Sequence, residues 1–137
     1  MKAARGKSDE FVFLPLGGVG EIGMNLAVYG LGPSSARDWL AVDFGVAFAG
    51  PDLPGVDLIL PDIRYLIEER RNIVGLVLTH GHEDHFGALR DLWPRLKVPI
   101  YATPFTAALF EAKRLGEPGA PEIPFNVVPL RGRFTLA

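Results

Sequence analysis

The three histidines of this chain all lie within six residues, in a segment of pattern His-x-His-x-Asp-His that begins at His80. Side chains two residues apart on an extended segment point the same way, so His80 and His82 can bind one cation together. Asp84 and His85 follow where the chain turns into a helix, and they can reach a second cation nearby. Neutral imidazole nitrogens and a carboxylate are ligands that suit zinc. The pattern therefore predicts metal binding by His80, His82, Asp84 and His85.

A pair of bound metal ions would give this segment hydrolytic chemistry. Two ions roughly 3.5–4 Å apart can hold a bridging hydroxide and clamp an in-line displacement at phosphorus or at carbonyl carbon. Gly81 lets the backbone bend between the first two ligands, and we expect Glu83 to point away into solvent. A single-metal site, or one that holds iron or manganese, stays open because affinity alone does not fix the metal. The simplest alternative is a polar surface loop with coincidental histidines.

A buried strand and a helix are predicted on either side of this segment. The apolar run over residues 73–79 has the length and the β-branched content of a buried strand. The histidine segment begins just beyond the carboxyl end of that strand, a common place for sites in αβ folds. Residues 86–93 predict a helix that Pro94 ends. These two elements would present the four side chains at one edge of a sheet.

The rest of the chain predicts alternating strands and helices. Further strands are expected over residues 11–16, 25–29, 39–43 and 98–102, with loops over 30–37, 45–54 and 118–124. Helices are expected over 63–71, with Asp62 as N-cap, and over 104–115, between the N-cap Thr103 and Gly116. Residues 125–130 and 134–137 are expected to pair as strands around a turn at 131–133. Strands followed by alternating strands and helices predict an α/β fold, or a layered α+β one, with residues 1–10 as a disordered tail.

A glycine-rich segment offers a competing interpretation. Gly18, Gly20 and Gly23 match G-x-G-x-x-G, and Asp43 lies 20 residues after Gly23. Both features belong to the dinucleotide-binding fingerprint, which also requires a helix directly after the last glycine. Residues 25–29 are followed by Gly30, Gly32 and Pro33, which would break such a helix. We therefore favour a tight hairpin turn between two strands.

Asp43 has two interpretations of its own. It ends a predicted strand and precedes Phe44 and Gly45, so it could cap a turn, a common role for aspartate. It could also lie beneath the metal cluster and orient its ligands through a hydrogen bond. Spacing alone leaves both open.

Composition excludes several classes of function. The 137 residues suit one domain, and the net charge of −2 argues against a small basic RNA-binding module. The chain has no cysteine, which rules out disulfides and thiol catalysis. We see no signal peptide and no apolar run of roughly 20 residues that would span a bilayer. We therefore expect a cytoplasmic protein with no membrane contact.

These features together resemble the metallo-β-lactamase superfamily and, within it, the ribonuclease J group. The metal motif at His80 to His85 and the upstream acid Asp43 are similar to the superfamily's first motifs. The finer match to the ribonuclease J group lies, in order along the chain, at residues 16–25, 42–45, 54–57, 61–62 and 78–89. The resemblance extends from Phe11 onward over nearly the whole chain.

The resemblance implies an αββα sandwich, of which residues 11–137 would form a partial domain, its N-terminal half. It implies two zinc ions, one held by His80 and His82 and the other by Asp84 and His85. Asp84 would also manage protons around the attacking hydroxide, as a catalytic residue. The implied substrate is RNA, cut by phosphodiester hydrolysis either internally or from a 5′ end.

Other parts of the family pattern are not found in this sequence. Family members complete the site with a further histidine, a bridging aspartate and a last histidine, whereas this chain has no histidine after His85. They also carry a β-CASP domain, for which there is no room here. We therefore expect a fragment of a longer enzyme, inactive by itself. Another hydrolase of the same fold, such as a thioesterase or lactonase, and a non-catalytic fragment that forms a homo-oligomer stay open as alternatives.

Overall fold

A six-stranded mixed sheet forms the centre of the computed structural model, which describes residues 8–136. The strands lie in the order β1-β2-β3-β6-β7-β8, with β1 to β3 antiparallel and β3, β6, β7 and β8 parallel. Their bounds are β1 Glu10–Gly17, β2 Leu26–Gly32, β3 Asp38–Val42, β6 Ile73–Val77, β7 Ile100–Ala102 and β8 Phe125–Val127. Two short strands, β4 Ala47–Phe48 and β5 Leu58–Ile59, pair separately.

Within residues 8–136, four α-helices connect or follow the strands. They are α1 Arg64–Glu68, α2 Glu83–Phe86, α3 Leu89–Leu96 and α4 Pro104–Leu115, and a 3₁₀ turn covers Arg70–Asn72. Helix α4 has the predicted bounds, with Pro104 in its first turn and the Thr103 side chain accepting from Thr106 N. The longest helix among residues 8–136 has 12 residues, and none there is long and apolar enough to cross a membrane.

The core lies on one face of the sheet. Val28, Ala41, Leu76 and Ile100 follow one another in register across four strands, and each is 0% exposed. They join a single apolar cluster with helix residues that include Leu66, Leu89 and Phe110. Burial of this kind stabilises by about 1.5–3 kcal/mol per large side chain. The fold is therefore α/β, with a helical layer packed on a mixed sheet, as expected for the N-terminal half of a metallo-β-lactamase sandwich.

The opposite face of the sheet is partly exposed and rich in aromatic side chains. Phe11 and Phe13 of β1 are 72% and 51% exposed, and both rings lie against Tyr29 of β2. Farther along the sheet, Tyr101 stacks on Phe134 with ring centroids 5.2 Å apart. The alternation of buried and exposed residues along β1 and β2 assigns successive side chains to the two faces.

The glycine-rich segment is a hairpin turn. After Gly23 the chain enters β2 at Leu26, and β2 runs antiparallel to β1. The hairpin prediction is confirmed, and the dinucleotide-binding alternative is wrong because a strand stands where the fingerprint needs a helix. β1 begins at Glu10, and the predicted tail otherwise falls mostly on residues 1–7, which lie outside the described residues.

The prediction that Pro94 ends its helix is wrong. Pro94 lies inside α3, which continues to Leu96 and ends where Lys97 takes a left-handed conformation. The ring removes only one helical donor, and Lys97 N still donates to Trp93 O. Burial of Leu92 and Leu96 holds the last turn against the core and offsets that loss. The expected single helix is also divided, since α2 and α3 are separate.

Other boundaries also differ from prediction, among them the start of the loop expected over 30–37, because β2 continues to Gly32. β8 pairs parallel with β7, and residues 128–136 form no strand, so the expected hairpin is wrong. The loop predicted over 45–54 contains β4. The N-cap of α1 is Ile63 and not Asp62, although Asp62 Oδ1 accepts a hydrogen bond from Arg64 N at 3.0 Å.

Candidate metal centre

Parallel pairing of β3 with β6 brings two sequence motifs to the same edge of the sheet. Val42 lies opposite Val77, and Asp43 N donates to Val77 O at 2.8 Å. Asp43 therefore lies beside the segment that leads from β6 into α2. That segment contains Thr79 and all the predicted metal ligands.

The Asp43 carboxylate is buried and forms hydrogen bonds with two residues, Thr79 and His85. The residue is 6% exposed and has a left-handed backbone, with φ 64°. Its Oδ1 accepts from Thr79 N at 2.8 Å, and Thr79 Oγ1 lies 2.9 Å from both carboxylate oxygens. Its Oδ2 lies 2.7 Å from His85 Nδ1. The Asp43 carboxylate therefore makes the hydrogen-bond contacts to the histidine segment that the second of its two interpretations requires.

These contacts indicate which nitrogen of His80 and of His85 carries the proton when each ring is neutral. A carboxylate only accepts, so the Thr79 hydroxyl donates to Asp43 and is left to accept from His80 Nδ1, 3.0 Å away. His85 Nδ1 likewise donates to Asp43. In both rings the lone pair is then on Nε2. A neutral imidazole with its other nitrogen hydrogen-bonded in this way is the usual form of a histidine metal ligand.

The four predicted ligands converge. The ring of His80 has its centroid 4.7 Å from that of His82 and 4.1 Å from that of His85. Asp84 Oδ2 lies 3.4 Å from His85 Nε2. The structure thus places His80, His82, Asp84 and His85 in one cluster at the sheet edge, with Asp43 beneath it.

The donor atoms of this cluster contact one another. His80 Nε2 lies 3.1 Å from His82 Nδ1, and in residues 8–136 no three His, Asp or Glu side chains are arranged to hold a metal ion. His82 is exposed and the Asp84 side chain is 36% exposed, so both can turn without disturbing the core. Three imidazoles and a carboxylate within contact distance are a donor set that fits a transition metal, zinc included.

The backbone of α2 is held by two other segments. The carbonyls of Glu83, Asp84 and His85 accept from the backbone N–H groups of Val46, Asn25 and Phe44, respectively, at 2.7–3.1 Å. The approach is so close that a Cβ on Gly45 would lie 1.7 Å from Asp84 O. Sequence reasoning assigned no role to Asn25 or Thr79. Two sequence signals could have pointed to them: Asn25 lies directly after the glycine turn, and Thr79 lies directly before His80.

Glu83 does not point freely into solvent. Its side chain forms an ion pair with Lys113 of α4 and is 42% exposed. Glu83 is therefore partly solvated, as expected, but it is also paired with a lysine that the sequence analysis did not foresee. The pair links the short helix α2 to the long helix α4, beside the metal motif.

Comparisons with known proteins agree with this geometry. The family profile of the metallo-beta-lactamase superfamily matches residues 30–135. Ribonuclease J of Sinorhizobium meliloti is 58% identical over 130 residues, which cover 95% of this chain and 23% of that protein. Ribonuclease J of Thermus thermophilus is 45% identical over 114 residues, or 79% of this chain and 19% of that protein. Ribonuclease J of Helicobacter pylori is 42% identical over 99 residues, which cover 72% of this chain and 14% of that protein.

The chain therefore spans less than a quarter of the length of these relatives. Membership of a metallo-β-lactamase family implies a metal cofactor. The match of the family profile to residues 30–135, which contain Asp43 and the whole histidine segment, decides the assignment. This chain belongs to the metallo-beta-lactamase superfamily.

Proposed function

We propose that this chain carries the first metal-binding motif of a zinc-dependent ribonuclease that hydrolyses RNA phosphodiester bonds. The observation that carries the proposal is the shared carboxylate of Asp43. It contacts His85 directly and His80 through Thr79, and Nε2 of both rings lies on the side that faces the other ligands. The relatives named ribonuclease J support RNA as the substrate.

Each residue of the cluster has a role in this proposal. His80 and His82 would hold one zinc ion, and Asp84 and His85 a second. Bound zinc supplies a water of lowered pKa and positive charge beside the scissile phosphate. The Asp84 carboxylate, part-exposed at the rim, accepts and holds the proton that the attacking water loses. Asp43 keeps the imidazoles of His80 and His85 in the ligating tautomer.

The activity is proposed for a protein of the relatives' length. Residues 11–137 would form the N-terminal part of its metallo-β-lactamase domain, with the remaining ligands and the β-CASP domain supplied elsewhere in that protein. The proposal places the enzyme in the cytoplasm. A homo-oligomer would be compatible with the exposed aromatic face of the sheet.

Two measurements test the proposal. Elemental analysis of the chain, purified without chelators or a histidine tag, should find zinc in the wild type and less in a His82→Ala variant. In a protein of the relatives' length, His82→Ala should abolish hydrolysis of a labelled RNA. Full RNA hydrolysis by that variant would contradict the metal mechanism, and hydrolysis of thioesters or lactones in place of RNA would contradict the substrate.

A further inference from the structure

Asn25 connects three segments at the metal motif. Its backbone N and its side-chain Nδ2 both donate to Asp84 O, each at 3.0 Å. Its own carbonyl accepts from Gly45 N at 3.0 Å. The same Nδ2 lies 3.5 Å from His85 Nε2, the nitrogen that faces the cluster. One residue thus joins the glycine turn, the 43–46 loop and the start of α2.

The glycine turn is shaped around this residue. A Cβ on Gly18 would lie 2.4 Å from Asn25 Oδ1, and a Cβ on Gly17 would lie 2.1 Å from Met24 O. Gly18 also has φ +81°, which disfavours any side chain there. Larger residues at either position would push Met24 or Asn25 away from Asp84. Gly18, the first glycine of the segment that resembles a nucleotide fingerprint, therefore makes room for the Asn25 side chain.

Helix α2 needs such external support because it is short. It has four residues, Glu83–Phe86, which is far below the length at which a helix is stable alone. Its N-cap His82 makes no side-chain capping bond. The directions of the Asp84 and His85 side chains then depend on the hydrogen bonds to the carbonyls of residues 83–85. Asn25 supplies two of these bonds, both to the central carbonyl.

We propose that Asn25 is a positioning residue, whose side-chain amide fixes the backbone at Asp84 so that Asp84 and His85 meet the same metal ion. This inference rests on the proposed metal-binding function. The competing view is that the amide only satisfies a part-buried carbonyl. A merely structural amide would change stability when removed, whereas a positioning amide would also change metal affinity and the mobility of α2.

The strand residue Asn126 provides a matched control. Its Nδ2 donates to the backbone carbonyl of Ile100 at 3.1 Å, a bond of the same type and nearly the same length, in β8 at the far edge of the sheet. Asn25→Ala and Asn126→Ala each remove one amide-to-carbonyl hydrogen bond. Asn25→Asp keeps the shape of the side chain while losing the donor, so it serves if Asn25→Ala does not fold.

The first readout is Co²⁺ binding to this chain, measured by visible absorption in competition with a chelator. Asn25→Ala and Asn25→Asp should weaken binding about tenfold or more, the usual effect of losing a residue that orients a metal ligand. They should also change the absorption band that reports coordination geometry. Asn126→Ala should bind Co²⁺ as the wild type does. Wild-type affinity in both Asn25 variants, or equal weakening in Asn126→Ala, would overturn the proposal.

The second readout needs no metal. In metal-free protein, hydrogen exchange at the amides of Phe44 and Val46, which donate to His85 O and Glu83 O, should speed up in the Asn25 variants alone. Unchanged exchange there would overturn the positioning role. A wild-type chain that binds no Co²⁺ would instead contradict the metal site proposed above for this chain, and the exchange rates would still decide the role of Asn25.

Discussion

His85 Nδ1 lies 2.7 Å from Oδ2 of Asp43, a residue 42 positions earlier in the chain. The two residues meet because β3 and β6 run parallel and end at the same edge of the sheet. Asp43 also accepts two hydrogen bonds from Thr79, through its backbone N–H and its hydroxyl. One buried carboxylate therefore forms hydrogen bonds to both flanks of the histidine segment.

Replacement of Asp43 with asparagine should weaken metal binding by 10- to 100-fold, roughly, because the amide NH₂ cannot accept from His85 or Thr79. The free energy of unfolding should also fall, by about 1–3 kcal/mol, since at least one buried donor loses its partner. Chelator competition and urea denaturation measure the two effects.

Asp57→Asn is the matched control for that substitution, because Asp57 is exposed on the 45–60 segment. It removes the same charge and should change neither metal affinity nor stability measurably. Equal metal affinity in Asp43→Asn and wild type would mean that Asp43 does not orient the ligands.

Gly45→Ala should destabilise the fold strongly. The new Cβ would lie 1.7 Å from Asp84 O, between two backbone segments that cannot yield as a flexible side chain would. We expect a loss of at least about 2 kcal/mol in the free energy of unfolding, as for severe overpacking. Thermal and urea unfolding would measure it.

Gly116→Ala tests whether that loss comes from crowding. At Gly116, φ is −83° and the nearest atom to a new Cβ is 3.5 Å away, which is ordinary contact. Stability should stay the same or rise by up to about 1 kcal/mol. If the two alanine variants had equal stability, the close packing of Gly45 against α2 would be wrong.

His82→Ala should separate metal binding from folding. His82 is exposed, so its removal should change the stability of the metal-free chain by no more than about 0.5 kcal/mol. Zinc should raise the melting temperature of the wild type and raise that of the variant much less, because a ligand that binds only the folded state stabilises it. An equal zinc-induced shift in both proteins would remove His82 from the ligand set.

Asp62 should titrate far below an ordinary aspartate. Hydrogen bonds from the Arg64 side chain and then from its backbone N–H lower the pKa of Asp62 from 3.8 to about 2. A pKa lowered in the folded state stabilises above the ordinary value, and that contribution is lost as pH falls from about 4 toward 2.

Carboxyl chemical shifts recorded against pH would measure the Asp62 midpoint. Arg64→Ala should return that midpoint toward 3.8. Glu68→Gln, on the same helix, should leave it near 2. A wild-type midpoint close to 3.8 would contradict the paired geometry of Asp62 and Arg64.

The sequence correctly predicted those helices and strands whose position depends on residues close by in the chain. The bounds of α4 follow from Thr103, Pro104 and Gly116, whose chemistry acts within one helical turn. The run over 73–79 predicted β6, because a largely buried strand of a parallel sheet can be recognised from its continuous apolar residues alone. The approach of Asp43 to the histidine segment was one of two open interpretations.

Tertiary contacts decided what sequence reasoning missed. Pro94 stays helical because the burial of Leu92 and Leu96 outweighs one lost hydrogen bond. β8 pairs with β7 in parallel, and no turn residue in the sequence predicts that pairing. Asn25 reaches Asp84 across 59 residues, so only the folded chain reveals the contact.

The sequence separation between the histidine segment and the residues that hydrogen-bond to it bears on the order of folding. The ligands are close in sequence, but the bonds that aim them come from Asn25 and Asp43, 60 and 42 residues away from His85. We expect long-range contacts of this kind to form late in folding, because closing the chain between such distant residues costs conformational entropy. A peptide containing only the histidine segment would therefore be a poor chelator. On a ribosome, the metal motif of the nascent chain would reach its binding geometry only after β3, β6 and α2 had docked.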